Sequence, residues 1–254
     1  MINYNKKLDC LFKKWKNAFA FKHFFYDGLM YRGEIINPYW RNPGEENEMW
    51  DNAPKRIMFL LKDVNVGEDR PDDDEDIRGR IFTDTSSRTY RNMSYWLYGI
   101  LNTIETGEIP KYTFSVSEST QLFDNTPIAY VNCKKEAGGS SVSYQTLTNY
   151  IERDKKYIIK EIEILDPDII ICGAWTENSG NPIFNLVKKE IYKGIKKINE
   201  WMYYCETTNK LVINSYHPTT RASDGKSMYT NMMNALKEFL EKYPSFKKSC
   251  RMSK

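Results

Sequence analysis

The sequence predicts an α/β fold: a four-stranded parallel sheet covered by helices on both faces. Two observations carry this. Four short, largely apolar runs, at residues 57–61, 127–133, 168–173 and 210–215, are each bounded by turn-forming or polar residues, as buried strands are. Between them lie amphipathic segments long enough to be the crossover helices that parallel strands require. A chain of 254 residues with 41% hydrophobic and 28% charged residues can bury one large core. Residues 1–50 read as an N-terminal helix and connector packed on that core, residues 51–245 as the α/β domain, and residues 246–254 as a basic tail.

Taken in order, Leu8, Leu11, Phe12, Trp15, Ala18 and Phe19 recur at three- and four-residue steps and predict an amphipathic helix within residues 6–25. Residues 26–54 are rich in Asn, Gly, Pro and aromatics without a period, and read as a connector over the edge of the core. Ile57 to Leu61 is the first strand, with Asp63 and Asn65 at its carboxyl end. The acidic run from Glu68 to Asp76, broken by Pro71, reads as a solvated loop. A helical period covers residues 89–101, with Ser86 or Ser87 at its amino end, where hydroxyls and free backbone N–H groups can meet phosphate. Residues 103–126 read as a loop with one short helix.

PIAYVNC, residues 127–133, is the second strand; it leads to Lys134, Lys135 and the small-residue stretch Gly138-Gly139-Ser140-Ser141. A long helix follows over residues 146–165, ended by Pro167. DIIICG is the third strand, and Trp175 beyond it is assigned to the core. Residues 181–192 read as a helix and residues 200–206 as a short strand. KLVINS is the fourth parallel strand and runs into Tyr216-His217-Pro218-Thr219-Thr220-Arg221; a last helix spans residues 229–240. The parallel arrangement brings a carboxylate, an amide, a basic loop and a histidine to one sheet edge, where open α/β folds bind ligands.

Composition narrows the chemistry. The net charge of +3 permits a nucleic-acid partner without demanding one. Five cysteines at 10, 133, 172, 205 and 250 form no C-x-x-C pair, so no metal site or cofactor is expected, and Cys133 and Cys172 read as buried thiols of a reducing compartment. The first fifteen residues carry charge where a signal peptide is apolar, and no segment approaches the roughly 20 apolar residues of a membrane span. A cytoplasmic protein without a membrane partner is the expectation.

These motifs, in this order, resemble the uracil-DNA glycosylase superfamily, whose fold is a three-layer α/β/α sandwich around a four-stranded parallel sheet. LLKDVN is similar to its water-activating motif, typically GQDPYH, with Asp63 at the position of the catalytic aspartate. Ile128 to Asn132 resembles the strand ending in the base-reading asparagine, and DIIICGAW the glycine-ended strand before the last motif. His217-Pro218-Thr219-Thr220-Arg221 is similar to HPSPL or HPSPR, and RNMSYWLYGIL to the helix after the phosphate-pinching serine loop. The resemblance spans roughly residues 57–240.

The resemblance implies a monomeric DNA glycosylase that flips uracil or a modified base from single- or double-stranded DNA and hydrolyses its N-glycosidic bond. Asp63 and His217 are then catalytic; Asn132, Asn65 and Phe82 bind the base; Ser87, Arg88, Lys134, Ser140 and Arg221 contact the nucleic acid. Departures are specific. Leu61 and Val64 stand for the usual glycine and proline, and Asn65 for the tyrosine that excludes thymine, which leaves room for a larger base. The eroded first motif and the acidic loop suggest the alternative, a catalytically inactive nucleic-acid- or nucleotide-binding module.

Overall fold

The computed structural model describes residues 2–19, 21, 23–64, 73–81, 87–112, 116–136, 142–221 and 223–248. Among these, a mostly parallel central sheet has seven strands, where the sequence led us to expect four. In chain order they are β1 (Gly28–Leu29), β2 (Ile57–Leu61), β3 (Ile128–Asn132), β4 (Ile169–Trp175), β5 (Lys196–Lys197), β6 (Met202–Cys205) and β7 (Lys210–Tyr216). Their order across the sheet is β1-β3-β2-β4-β7-β6-β5. The pairs β3/β2, β2/β4 and β4/β7 are parallel, and these are the four strands anticipated as apolar runs. The additional strands are antiparallel: β1 covers one edge, and β6 with β5 extends the other.

Among the described residues seven α-helices accompany the sheet: α1 (Tyr4–Phe19), α2 (Glu46–Asn52), α3 (Arg88–Thr106), α4 (Val116–Asn125), α5 (Tyr144–Leu165), α6 (Pro182–Leu186) and α7 (Gly225–Lys242). Successive strand residues point to opposite faces, so an unbroken apolar run supplies two cores. Met58, Leu60, Val131, Ile170, Cys172 and Val212 face α1, α5 and α6. Phe59, Leu61, Ile128, Ile171, Leu211 and Ile213 face α3 and α7. Both Cys133 and Cys172 are fully buried.

Several elements differ from the sequence reading, each for a local reason. The first helix stops at Phe19, because Phe21, Phe24 and Phe25 cannot share its apolar stripe; Phe25–Tyr26 instead pairs with Glu75–Asp76. The connector over residues 26–54 contains a hairpin, Ile35–Asn37 with Trp40–Arg41, and α2, whose Trp50 is fully buried with its Nε1 donating to Leu165 O at 2.9 Å. Helix α3 runs to Thr106 and ends on Gly107 at φ 83°, the left-handed geometry that favours glycine. Within residues 181–192, a five-residue α-helix capped by the Asn181 side chain continues as a π-helical turn, Val187–Ile191. The tail beyond residue 248 lies outside the described residues.

Helices α3 and α7 cross at Gly99, where an added Cβ would lie 2.5 Å from Met233 Sδ and 2.7 Å from Tyr229 Cε2. Gly99→Ala must therefore separate two packed helices, and a loss of about 1–3 kcal/mol in a denaturant melt is expected despite alanine's higher helix propensity. An unchanged or raised midpoint would show that the crossing can relax.

Where the chain leaves β3, Lys135 is fully buried. Its ammonium pairs with Asp27 and, at 2.8 Å, with Glu161 of α5, both also fully buried. Phe12 and Trp15 of α1 lie under the same ammonium, with ring centroids 5.2 and 5.4 Å away. Asp27 in turn accepts the backbone N–H of Asn132 at 2.7 Å. This cluster ties α1, the connector and α5 to the carboxyl end of the sheet.

Candidate functional site

Among the four parallel strands, β2 is flanked by β3 on one side and β4 on the other, so the chain reverses its direction of travel across the sheet at β2. The reversal sends α3 to one face and α5 to the other, and leaves a crevice at the carboxyl ends of β2 and β4. A cleft of about 700 Å³ lies there. Its walls include Lys62 and Asp63 after β2, Tyr130 of β3, Trp175 and Thr176 at the end of β4, and His217 after β7. Ser87 and Arg221 also line it.

Asp63 is close to buried, its side chain 10% exposed, and Lys134 Nζ lies 3.7 Å from Oδ2. That oxygen accepts no hydrogen bond from any described residue. Burial raises the Asp63 carboxyl above its ordinary value, opposed by the positive charges of Lys134 and Lys62. The result is a poorly solvated carboxylate on a cleft wall, with one acceptor unspent.

His217 is held by the turn it begins. Its Nδ1 accepts the backbone N–H of Thr219 at 3.2 Å and lies 2.7 Å from Thr219 Oγ1. An acceptor Nδ1 places the proton of a neutral imidazole on Nε2. Burial, reinforced by Lys62, pushes the imidazole down to about 3, so the neutral form persists across the physiological range. The turn is tied to the amino end of α3, where Asn92 Nδ2 donates to Pro218 O at 2.7 Å and the Arg88 guanidinium to Thr220 O at 3.1 Å. Gly173 allows β4 to pass beneath: a Cβ there would lie 2.5 Å from Leu61 Cδ2.

The helix terminus contributes to the rim. Ser87 is the N-cap residue of α3, and its hydroxyl makes no capping hydrogen bond. Arg221 also lines the cleft, so the rim carries a positive charge and a helix N-terminus, both suited to phosphate, while Arg80 on the lining is ion-paired with Glu75.

The residues anticipated from the sequence divide into three groups. Asp63, His217, Ser87 and Arg221 share the cleft. Asn65, Phe82 and Ser140 lie outside the described residues. Arg88, Lys134 and Asn132 are placed differently from the roles implied for them. Arg88 is exposed and braces the His217 turn. Lys134 is 6% exposed; its ammonium donates to Glu136 O at 3.3 Å and faces Asp63 and the Tyr150 ring. Asn132 is fully buried and is not a lining residue; its Nδ2 donates to Asp27 at 3.3 Å, while Oδ1 has no hydrogen-bond partner among the described residues. Asp27, from a connector with no periodic signal, covers the amide.

Sequence reasoning missed Lys62, Arg80, Tyr90, Tyr130 and Trp175 on the lining. Two signals were present. Tyr130 lies two residues before Asn132 on the same strand face, and Trp175 follows the glycine at which β4 reaches the sheet edge.

The cleft thus combines a carboxylate, a fixed imidazole N–H donor, aromatic walls and a cationic rim. Comparison of the chain with models of known protein families and with curated proteins finds no match. No group of three or more His, Cys, Asp or Glu is placed to hold a metal ion among the described residues, and no described helix is long and apolar enough to cross a membrane.

Proposed function

We propose that this cleft hydrolyses the N-glycosidic bond of uracil or a modified base extruded from DNA, within a three-layer α/β/α fold of the uracil-DNA glycosylase kind. The observation that carries the proposal is the meeting of Asp63 and His217, from the ends of two different strands, in one cleft at the reversal of strand order. Cleavage of the bond builds positive charge on the sugar and negative charge on the departing base. Asp63 stabilises the sugar cation and orients the attacking water. The Nε2–H of His217 donates to the base oxygen on which the anion develops. Tyr130 and Trp175 line the cleft as rings for the base, and Arg221 and Ser87 offer donors to flanking phosphates. Asn132 reads the base edge if its amide turns from Asp27 into the cleft.

The test is incubation with single- and double-stranded oligonucleotides carrying uracil, hypoxanthine or bulky pyrimidines, followed by alkali. Strand breaks at one of these bases are expected. Salt-dependent binding with no breaks on any substrate would instead identify a binding module that lacks the chemistry.

The pH profile follows from the two groups. Asp63 must be ionised and its carboxyl is raised, so activity should fall on the acid side beginning above an ordinary carboxylate's range. His217, already neutral, should add no limb near 6.5; such a limb, lost in His217→Gln, would contradict the neutral assignment. The same depression bears on stability. The unfolded imidazole binds its proton first, so this contribution is complete above about pH 6.5 and is lost as pH falls towards about 3.

A further inference from the structure

A second cavity, about 380 Å³, adjoins the cleft and shares a wall with it: Trp175 lines both. Its other aromatic walls are Trp201, Tyr203 and Tyr216, and Asn214 and Asn231 supply amides. All four aromatic residues are half-buried; Tyr203 packs against one core and Trp201 and Tyr216 against the other.

Their positions are built by the sheet. Tyr216 pairs with Trp175 across β7 and β4, after an irregularity in register between Ser215 and Tyr216, the kind of bulge that re-aims side chains at a sheet end. The two rings meet edge to face at 4.4 Å and 89°, and Trp201 stands 6.1 Å from Tyr216 at 55°. The backbone of Trp201 is fixed on both sides: its N–H donates to Asn199 Oδ1 at 3.1 Å and its carbonyl accepts the Asn214 N–H at 2.8 Å. Asn214 Oδ1 accepts from Asn181 Nδ2 at 2.9 Å, which orients the Asn214 amide with its NH2 as the remaining donor. Fixed ring faces beside amide groups suit a planar heterocycle with hydrogen-bonding edges. A quaternary ammonium would also suit the rings, but the one carboxylate here is Glu200 and the floor is amide-rich.

We propose that this cavity is a second base-binding subsite, which stacks the unpaired nucleobase next to the one held in the Asp63–His217 cleft and so selects single-stranded nucleic acid. The inference rests on the cleft's taking a nucleobase. The shared Trp175 wall and the adjacency of Tyr216 to His217 place the two occupants one behind the other along a single strand. A paired duplex cannot release two successive bases to separate pockets without losing the pairing of both.

Binding to the full-length protein tests this directly. The probe is a short single strand whose uridine carries a 2′-fluoro sugar, which resists N-glycosidic cleavage, and affinity is read by fluorescence anisotropy. Replacing one flanking nucleotide, on one side only, by an abasic analogue should weaken wild-type binding about tenfold. Trp201→Ala should weaken binding of the intact strand by a similar factor, and the two losses should not add, while Trp201→Phe binds within about twofold of wild type. Affinity indifferent to both flanking bases, losses that add fully, or quenching of tryptophan fluorescence by tetramethylammonium but not by the strand would each overturn the subsite. Free-base release from the natural-sugar strand, measured in parallel, separates the two proposals. Release without the coupling removes only the subsite; coupling without release removes only the hydrolase.

Discussion

Lys135→Met is expected to destabilise the fold by about 3–5 kcal/mol, because it removes one partner of a buried ion cluster and leaves the carboxylates uncompensated. Lys135, Asp27 and Glu161 are all fully buried. Burial raises the Glu161 carboxyl well above its ordinary value, opposed by the Lys135 ammonium beside it. For a chain of this size the loss corresponds to a fall of roughly 10 °C or more in Tm. The cost should shrink when Asp27→Asn is added, since the neutral amide can still accept the Asn132 N–H while one of the two carboxyl groups facing the lost ammonium is removed. A loss below about 1 kcal/mol for the single variant would show that water reaches the cluster. Activity should suffer in parallel, because Asp27 holds Asn132 and the neighbouring Lys134 sits beside Asp63.

The second large effect is expected at the cleft. Asp63→Asn keeps the shape of the side chain and removes the charge, and base release should fall about 10²–10⁴-fold. His217→Ala removes the N–H donor and should cost about 10²–10³-fold. Both losses should appear in kcat, because each interaction strengthens as charge develops. Neither change should alter strand affinity by more than a few-fold. Full activity in either variant would remove that residue from the chemistry. A loss in affinity alone would assign it to binding.

Much of the scaffold was legible because its signals are local. The runs IMFLL, IAYVN, DIIICG and KLVINS are apolar on both faces and bounded by Pro, Asp or polar residues, which is how strands buried on both sides read. The edge strands were not, because two-residue pairings such as Gly28–Leu29 and Lys196–Lys197 carry no period. Helix α3 was underestimated because Thr103 and Thr106 look like loop composition, although Thr103 is fully buried.

At the site, Asp63 and His217 were legible as polar residues closing apolar strands. The partners that determine their state were not. Lys134 and Lys135 look alike in sequence, two lysines after a strand, yet one neutralises Asp63 and the other is enclosed with Asp27 and Glu161. Charged residues are ordinarily solvated, so nothing local marks these as buried. Trp175 was assigned to the core for the same statistical reason, although it forms the wall between two cavities.

The hydrolase proposal is tested most directly by single-turnover base release. With the protein in excess over a uracil-bearing single strand, the products are separated and the free base is identified by mass. Hydrolysis at the Asp63–His217 cleft requires stoichiometric free base and an abasic strand from the wild-type protein, and little of either from Asp63→Asn. Strand bound and recovered intact, for uracil and for every modified base offered, would contradict it.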